Sequence, residues 1–167
     1  MTDHPTREES MRKLNELIEG IEFAMLTTAE PDGALRSRPM ATQQAEFDGD
    51  LWFFTHDYTP KVEQIERDHH VNVSYSSPEK QTYVSVSGTA RTIRDRPKIE
   101  ELWNPILKAW FPKGLDDPDL ALLKVTAEKA EYWDSRSSFV AHAVGFVKAV
   151  ATGEPYHPGE NEKIDLK

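Results

Sequence analysis

Residues 45–61 read AEFDGDLWFFTHDYTPK, a stretch that sets a tight turn, an aromatic β run and a helix start in immediate succession. Asp48-Gly49-Asp50 supplies the turn, so Ala45–Phe47 and Leu51–Thr55 are expected to pair as a hairpin. Leu51-Trp52-Phe53-Phe54-Thr55 has the aromatic content that suits a pleated, half-buried surface. Thr59-Pro60-Lys61 then opens a helix to about Asp68. Threonine is a good N-cap, proline fits the first turn, and Val62 and Ile65 supply a buried face.

The same grammar repeats on both sides. Upstream, Ala24–Thr28 and Leu35–Thr42 flank the turn Glu30-Pro31-Asp32-Gly33, which predicts an earlier hairpin. Before it, Met11, Leu14, Leu17, Ile18 and Ile21 recur at spacings of three and four. Thr6–Glu19 is therefore read as an amphipathic helix, ended by Gly20 and lying against the strands. Downstream, Val71–Tyr75 and a longer strand from Tyr83 to about Ile93 flank Pro78-Glu79-Lys80-Gln81. Asp95 and Pro97 start a helical insert that reaches Trp110 and ends in the loop carrying Phe111-Pro112-Lys113-Gly114 and Asp116-Asp117-Pro118. Leu120–Val125 and Ala130–Trp133 are expected to be closing strands. Phe139, Val140, Ala143, Val144 and Val147 suggest a last helix before Gly153, and the final residues read as a polar tail. Six to eight short strands paired mostly in chain order, with helices at the ends and one insertion, predict a mainly β (α+β) antiparallel barrel with flanking helices.

Composition bounds what such a barrel can do. At 167 residues and 38% hydrophobic content the chain can bury one good core, so residues 1–167 are read as one domain with short polar termini. The formal charge of −9, from 29 acidic and 20 basic residues, repels nucleic-acid phosphates and anionic lipids. No apolar run approaches the ~20 residues of a membrane span. Met1–Ser10 also lacks the basic-then-apolar pattern of a secretory signal, so a cytoplasmic protein is expected. With no cysteine, disulfides, thiolate metal sites and cysteine nucleophiles are excluded, and redox chemistry must come from a bound cofactor.

Few motifs survive inspection. Gly-x-Gly-x-x-Gly, the P-loop, Gly-x-Ser-x-Gly and His-Glu-x-x-His are all absent. His69 and His70 are adjacent and point in different directions, and the histidines show no i,i+4 pair, so no protein-only metal site is expected. What stands out is Arg36-Ser37-Arg38-Pro39-Met40 upstream of Phe53-Phe54-Thr55 and Thr59-Pro60-Lys61. A helix N-terminus offers free N–H groups and partial positive charge, a first-turn lysine adds a full charge, and an arginine can grip phosphate oxygens bidentately. Lys61 also sits where the helix dipole disfavours a cation, as if an anion lay beside it. On spacing alone these side chains can equally be solvated charges on an exposed strand and helix.

The order of Arg38-x-Met40, Phe54-Thr55, Thr59-x-Lys61 and then Tyr83-Val84-Ser85-Val86-Ser87-Gly88 resembles the FMN-binding split barrels of pyridoxamine-phosphate oxidase and its relatives. Trp103-Asn104-Pro105, Trp110-Phe111-Pro112-Lys113-Gly114, Asp117-Pro118 and Glu131-Tyr132-Trp133 resemble the general stress protein 26 branch, so that the likeness covers roughly residues 10–165. The resemblance implies a split barrel in which Arg38 and Lys61 bind the FMN phosphate and Ser37 or Thr59 adds hydroxyl contacts. Pro39, Met40, Phe54 and Thr55 would line the ribityl chain and one ring edge, with Thr42 and Gln43 behind them in rank. It also implies a homodimer with the flavin between subunits, the partner's half of the site including Trp110, Phe111 or Trp133. FAD or a deazaflavin ranks below FMN as the cofactor, and a haem-binding relative is a further class.

Two departures bear on activity. True pyridoxamine-phosphate oxidases carry a lysine where this chain has Gln43, and an Arg- and His-containing C-terminal segment for the substrate phosphate. After Trp133 only Arg136 and His142 precede Lys148 as basic candidates, which speaks against pyridoxamine phosphate as substrate. The leading expectation is a flavin-dependent oxidoreductase of an unidentified small molecule, with no protein nucleophile and no assigned catalytic residue. The alternative is a non-catalytic stress protein that binds or buffers flavin through the same residues.

Overall fold

The computed structural model describes residues 5–43, 45–135, 139–156 and 159–167, with the side chains of 139–142 left aside. Helix α1 (Arg7–Ile18) leads into β1 (Phe23–Ala29), β2 (Leu35–Ala41), β3 (Asp50–His56) and α2 (Pro60–Arg67). Strands β4 (His70–Ser77) and β5 (Thr82–Ile93) follow. The insert then runs as α3 (Arg96–Leu102) and two 3₁₀ turns at Pro105–Ala109 and Gly114–Asp116. β6 (Leu120–Asp134), α4 (Phe139–Thr152) and β7 (Glu160–Asp165) complete the chain. All pairings are antiparallel, in the order β2-β1-β4-β5-β6-β3, with β7 added alongside β6. The seven strands curl into a half-barrel with the helices around it, the split-barrel architecture expected above.

Alternation builds the core. Ala24, Leu26 and Thr28 of β1 point inward, as do Val71, Val73 and Tyr75 of β4 and Val84 and Val86 of β5, so that one sheet face is continuous and apolar. α1 closes it with Met11, Leu14 and Leu17, its start fixed by a capping box in which Thr6 accepts from the Glu9 N–H and the Glu9 side chain accepts in return. A second cluster of Phe54, Ile99, Leu107, Phe111, Leu120 and Leu122 packs the insert onto the other face of β3 and β6. Leu120, Ala121, Leu122 and Leu123 are therefore buried in sequence without alternation.

Four expectations are corrected by the fold. Residues 45–47 form no strand and do not pair with Leu51–Thr55, because β3 pairs along its length with β6. The Asp48 carboxylate accepts the Asp50 N–H, and the Gly49 carbonyl accepts from Ala127, so the turn feeds the chain onto β6 instead of back on itself. The two closing strands are one fifteen-residue strand, β6. Its polar middle holds a bulge: Ser87 faces Lys129 while Gly88 faces Ala127. The tail is also not free, since β7 hydrogen-bonds to β6 and buries Ile164 in the core, with Leu166 beyond it. Glu160 and Glu162 occupy the other positions on the Ile164 face, so the strand shows little hydrophobic period to read. Finally, the helix expected up to Trp110 breaks after Leu102 and resumes as a 3₁₀ turn at Pro105.

Candidate functional site

Arg38 lies on β2, the strand at one end of the sheet, where it faces Leu26 across the β1–β2 ladder. It is half-buried, and its hydrogen-bond partners among the described residues are uncharged. Nη1 donates to Thr28 Oγ1 at 2.6 Å and Nη2 to Gln64 Oε1 at 3.0 Å, while Thr28 donates to Gln64 at 2.7 Å. The remaining guanidinium N–H groups have no partner among the described residues. Lys61, in the first turn of α2, is half-buried beside Arg38 and makes neither a hydrogen bond nor an ion pair with any described residue.

The electrostatics follow from that geometry. Burial holds the Lys61 ammonium below its ordinary pKa, and the Arg38 charge pushes it the same way. Arg38 is itself depressed, first by burial and then by Arg36, against an opposing pull from Glu30. The Glu30 attraction acts without an ion pair to Arg38, since the Glu30 carboxylate pairs with Arg36 at 3.8 Å. Two neighbouring, partly desolvated cations without a carboxylate raise the folding free energy unless an anion sits between them.

The helix start adds to this. Thr59 is the N-cap residue of α2, but its hydroxyl does not cap the helix, contrary to expectation. It donates to the His56 carbonyl at 3.0 Å and lies 3.3 Å from the Thr55 hydroxyl. The N-terminus of α2 is thus left without a side-chain acceptor on the side of the two cations. The β3–α2 turn is anchored from behind by His56, whose Nε2 lies 3.1 Å from Asp117 Oδ2 and whose ring packs against Tyr58 and Phe111. The Asp117 carboxyl is held below its ordinary pKa, because the Asp119 N–H donates to it and His56 lies beside it.

Of the residues singled out from sequence, the structure sets Arg38 beside Lys61 and Thr55 beside Thr59, with Thr59 and Lys61 both at the start of α2. Met40 shares Arg38's face but is buried in the main core, and Phe54 packs into the insert cluster against Trp103 and Phe111. Ser37 and Pro39 point to the opposite, outer face, where Ser37 lies 2.7 Å from the Thr27 hydroxyl. Trp110 meets Phe23 edge-on at that face, and Trp133 stands on β6 opposite Tyr83, several strands from Arg38. Arg136 and the His142 side chain lie outside the described residues. Sequence reasoning missed Thr28 and Gln64, which aim the guanidinium. Gln64 stands three residues after Lys61 on one helical face, and Thr28 shares Arg38's face once the hairpin register is known.

Comparison with known proteins agrees with this frame. Residues 9–157 match the family described as Pyridoxamine 5'-phosphate oxidase like. Protein bli-3 of Neurospora crassa is 31% identical over 158 residues, which cover 89% of this chain and 76% of that protein. The general stress FMN/FAD binding protein of Xanthomonas citri superposes with a TM-score of 0.68 at 30% identity, covering 79% of this chain and 93% of the other. A Clostridium acetobutylicum protein related to general stress protein 26 of B. subtilis shares the fold, with a TM-score of 0.71 at 20% identity over 97% of both chains. The span of the family match, laid over a split barrel whose free cations lie on β2 and α2, shows that the chain belongs to the pyridoxamine 5'-phosphate oxidase-like family.

Proposed function

We propose that this chain binds FMN, its phosphate held by Arg38, Lys61 and the N-terminus of α2, and that it is a flavin-dependent oxidoreductase acting on a small molecule. One observation carries the reading: Arg38 and Lys61 stand together, half-buried, and neither forms an ion pair with a carboxylate among the described residues. The residues present fit such a group. A dianionic phosphate monoester supplies the missing charge, accepts the free guanidinium donors and suits the partial positive charge of the helix start. The FMN/FAD binding named for the Xanthomonas citri relative supports the same assignment.

When bound, FMN supplies hydride transfer at its ring, a chemistry for which the chain needs no nucleophile of its own. The protein's part is placement. Thr28 and Gln64 orient Arg38, the Thr55–Thr59 hydroxyl pair and the His56–Asp117 contact hold the β3–α2 turn, and Lys61 contributes charge.

We further infer a single-domain cytoplasmic protein that works as a homodimer through the outer sheet face. Phe23, Met25, Leu35, Tyr83 and Trp133 all point outward there and are exposed, an apolar patch of the kind that marks an interface. Ser37, Pro39 and Trp110 share that side, where a second subunit would meet them. Among the described residues no helix is long and apolar enough to cross a membrane. Gln43 in place of a lysine points away from pyridoxamine phosphate as substrate.

The test is turnover. FMN-loaded protein is reduced anaerobically with a nicotinamide donor and reoxidised by a panel of small acceptors, its mass being followed by light scattering. Catalytic cycling in a dimer is the expected result. Stable flavin binding with no donor or acceptor turning over would replace the oxidoreductase by a flavin-buffering protein, and a monomer with full activity would remove the shared site.

A further inference from the structure

Helix α4 turns its apolar side to solvent. Of its fourteen residues only Lys148 carries a formal charge. Among its described side chains the half-buried positions are Gly145 and Ala149, which share one face. The Tyr156 ring lies against that face, where a Cβ at Gly145 would stand 2.9 Å from it, and it meets Phe146 edge-on at 6.2 Å between centroids. The opposite arc carries Val144, Phe146, Val147 and Val150, which are 63, 60, 65 and 71% exposed. No other helix or strand makes an extensive contact with α4 among the described residues. A helix of this length draws its stability from burial of its apolar face, and here that face has no cover from its own chain.

Place, area and charge select a second copy of this chain as the cover. The chain leaves β6 at Asp134 and enters β7 at Glu160, and these two residues face each other in the ladder. Both feet of the α4 excursion therefore stand beside Trp133, which faces Tyr83 on one side and Asn161 on the other. Tyr83 and Trp133 belong to the exposed outer-face patch with Phe23, Met25 and Leu35, so the helix continues that patch past the end of the sheet. The α4 arc and the outer-face patch each expose on the order of 400–500 Å². Either alone falls short of the ~800 Å² that a standard interface takes from each partner, and the two together reach it. A lipid surface fits less well. A chain of formal charge −9 is repelled by anionic lipid, and one lysine does not make the basic flank that holds an amphipathic helix there.

We propose that α4 is a dimerisation arm, its Val144, Phe146, Val147 and Val150 arc packed on a second copy of this chain in the same two-fold interface as the outer sheet face. The inference rests on the homodimer reading above and is independent of the flavin. Two-fold symmetry lets each arm cover the partner while its own patch is covered in return.

The full chain has no cysteine, so Lys148→Cys, at an exposed position on the rim of the arc, supplies a single thiol for a benzophenone photocrosslinker. The labelled protein is mixed with an excess of unlabelled ¹⁵N chain, irradiated after exchange, and the linked peptides are weighed. Links from α4 to ¹⁵N peptides are expected. The triple variant Val144→Glu, Val147→Glu, Val150→Glu is expected to weaken the dimer at least about 100-fold in sedimentation equilibrium. Glutamate is the better helix former, so the helix itself persists, as circular dichroism would show. Links confined to one chain, with dimerisation unchanged in the triple variant, overturn the arm and leave the outer-face dimer standing. A wild-type monomer at every concentration removes both readings. Binding of the wild type to phosphatidylcholine vesicles, lost in the triple variant while the dimer is unaffected, also overturns the arm and gives the face to lipid.

Discussion

Replacing Arg38 with methionine removes one of the two free cations while keeping a long unbranched side chain in a half-buried position. Two separable effects follow from its surroundings. A charge-assisted hydrogen bond contributes about 1.5–3 kcal/mol. Loss of the arginine's grip on a phosphate therefore weakens FMN about 10- to 150-fold. Riboflavin has no phosphate, and its affinity stays within about twofold. Stability of the ligand-free protein changes far less than for a buried paired charge, whose loss costs about 3–5 kcal/mol. Thr28 and Gln64 keep their own 2.7 Å hydrogen bond when the guanidinium is gone, and Lys61 is relieved of a like charge. The stability change is accordingly within about 1 kcal/mol of zero. Flavin-fluorescence titrations at fixed low salt, with urea unfolding of the flavin-free protein, measure both. Equal weakening of FMN and riboflavin would refute the phosphate assignment, and a loss of several kcal/mol in the flavin-free protein would show that Arg38 is a structural charge.

Lys61 carries a pH signature. Its folded pKa lies below the ordinary 10.5, so between the two values the unfolded chain binds more protons and the ligand-free protein gains stability as pH rises through that window. A bound phosphate favours the ammonium, so FMN binding takes up protons there and weakens with rising pH. Calorimetry in buffers of different ionisation enthalpy checks this, and Lys61→Met abolishes it. Gly88→Ala places a methyl group 2.0 Å from the Thr126 carbonyl oxygen across the bulge. Backbone must move to admit it, at a cost of about 3 kcal/mol, read as a fall in the urea midpoint. Ile164→Ala removes the core residue of β7 and costs about 2–4 kcal/mol, whereas a dangling tail would lose nothing.

Much of the frame is legible in the chain because local signals and tertiary structure agree. The turn at Glu30–Gly33, the capped helix after Thr6 and the strand beginning near Tyr83 each combine turn chemistry with a clear period. Where the two diverge, the sequence misleads. Asp48-Gly49-Asp50 has hairpin chemistry, yet the strand that follows is claimed by β6, some 70 residues later in the chain, a pairing no local pattern encodes. β7 hides because only Ile164 is buried within it, and β6 looks divided because its bulge interrupts alternation.

Arg38 and Lys61 stand out in the sequence as a candidate anion site, but spacing does not show that they meet. Whether two positive side chains are solvated or confined together depends on burial and on the absence of a carboxylate, and both are tertiary facts. Thr59 does stand at the helix start, but its hydroxyl turns to the His56 carbonyl, a choice set by the β3–α2 turn.

The most direct measurement is the visible absorption spectrum of the purified protein, with the released chromophore identified and counted per chain after denaturation. The account predicts a yellow protein that releases, or takes up on addition, about one FMN per subunit. A colourless protein that binds neither FMN, FAD nor a deazaflavin would contradict it, leaving the Arg38–Lys61 pair without its phosphate.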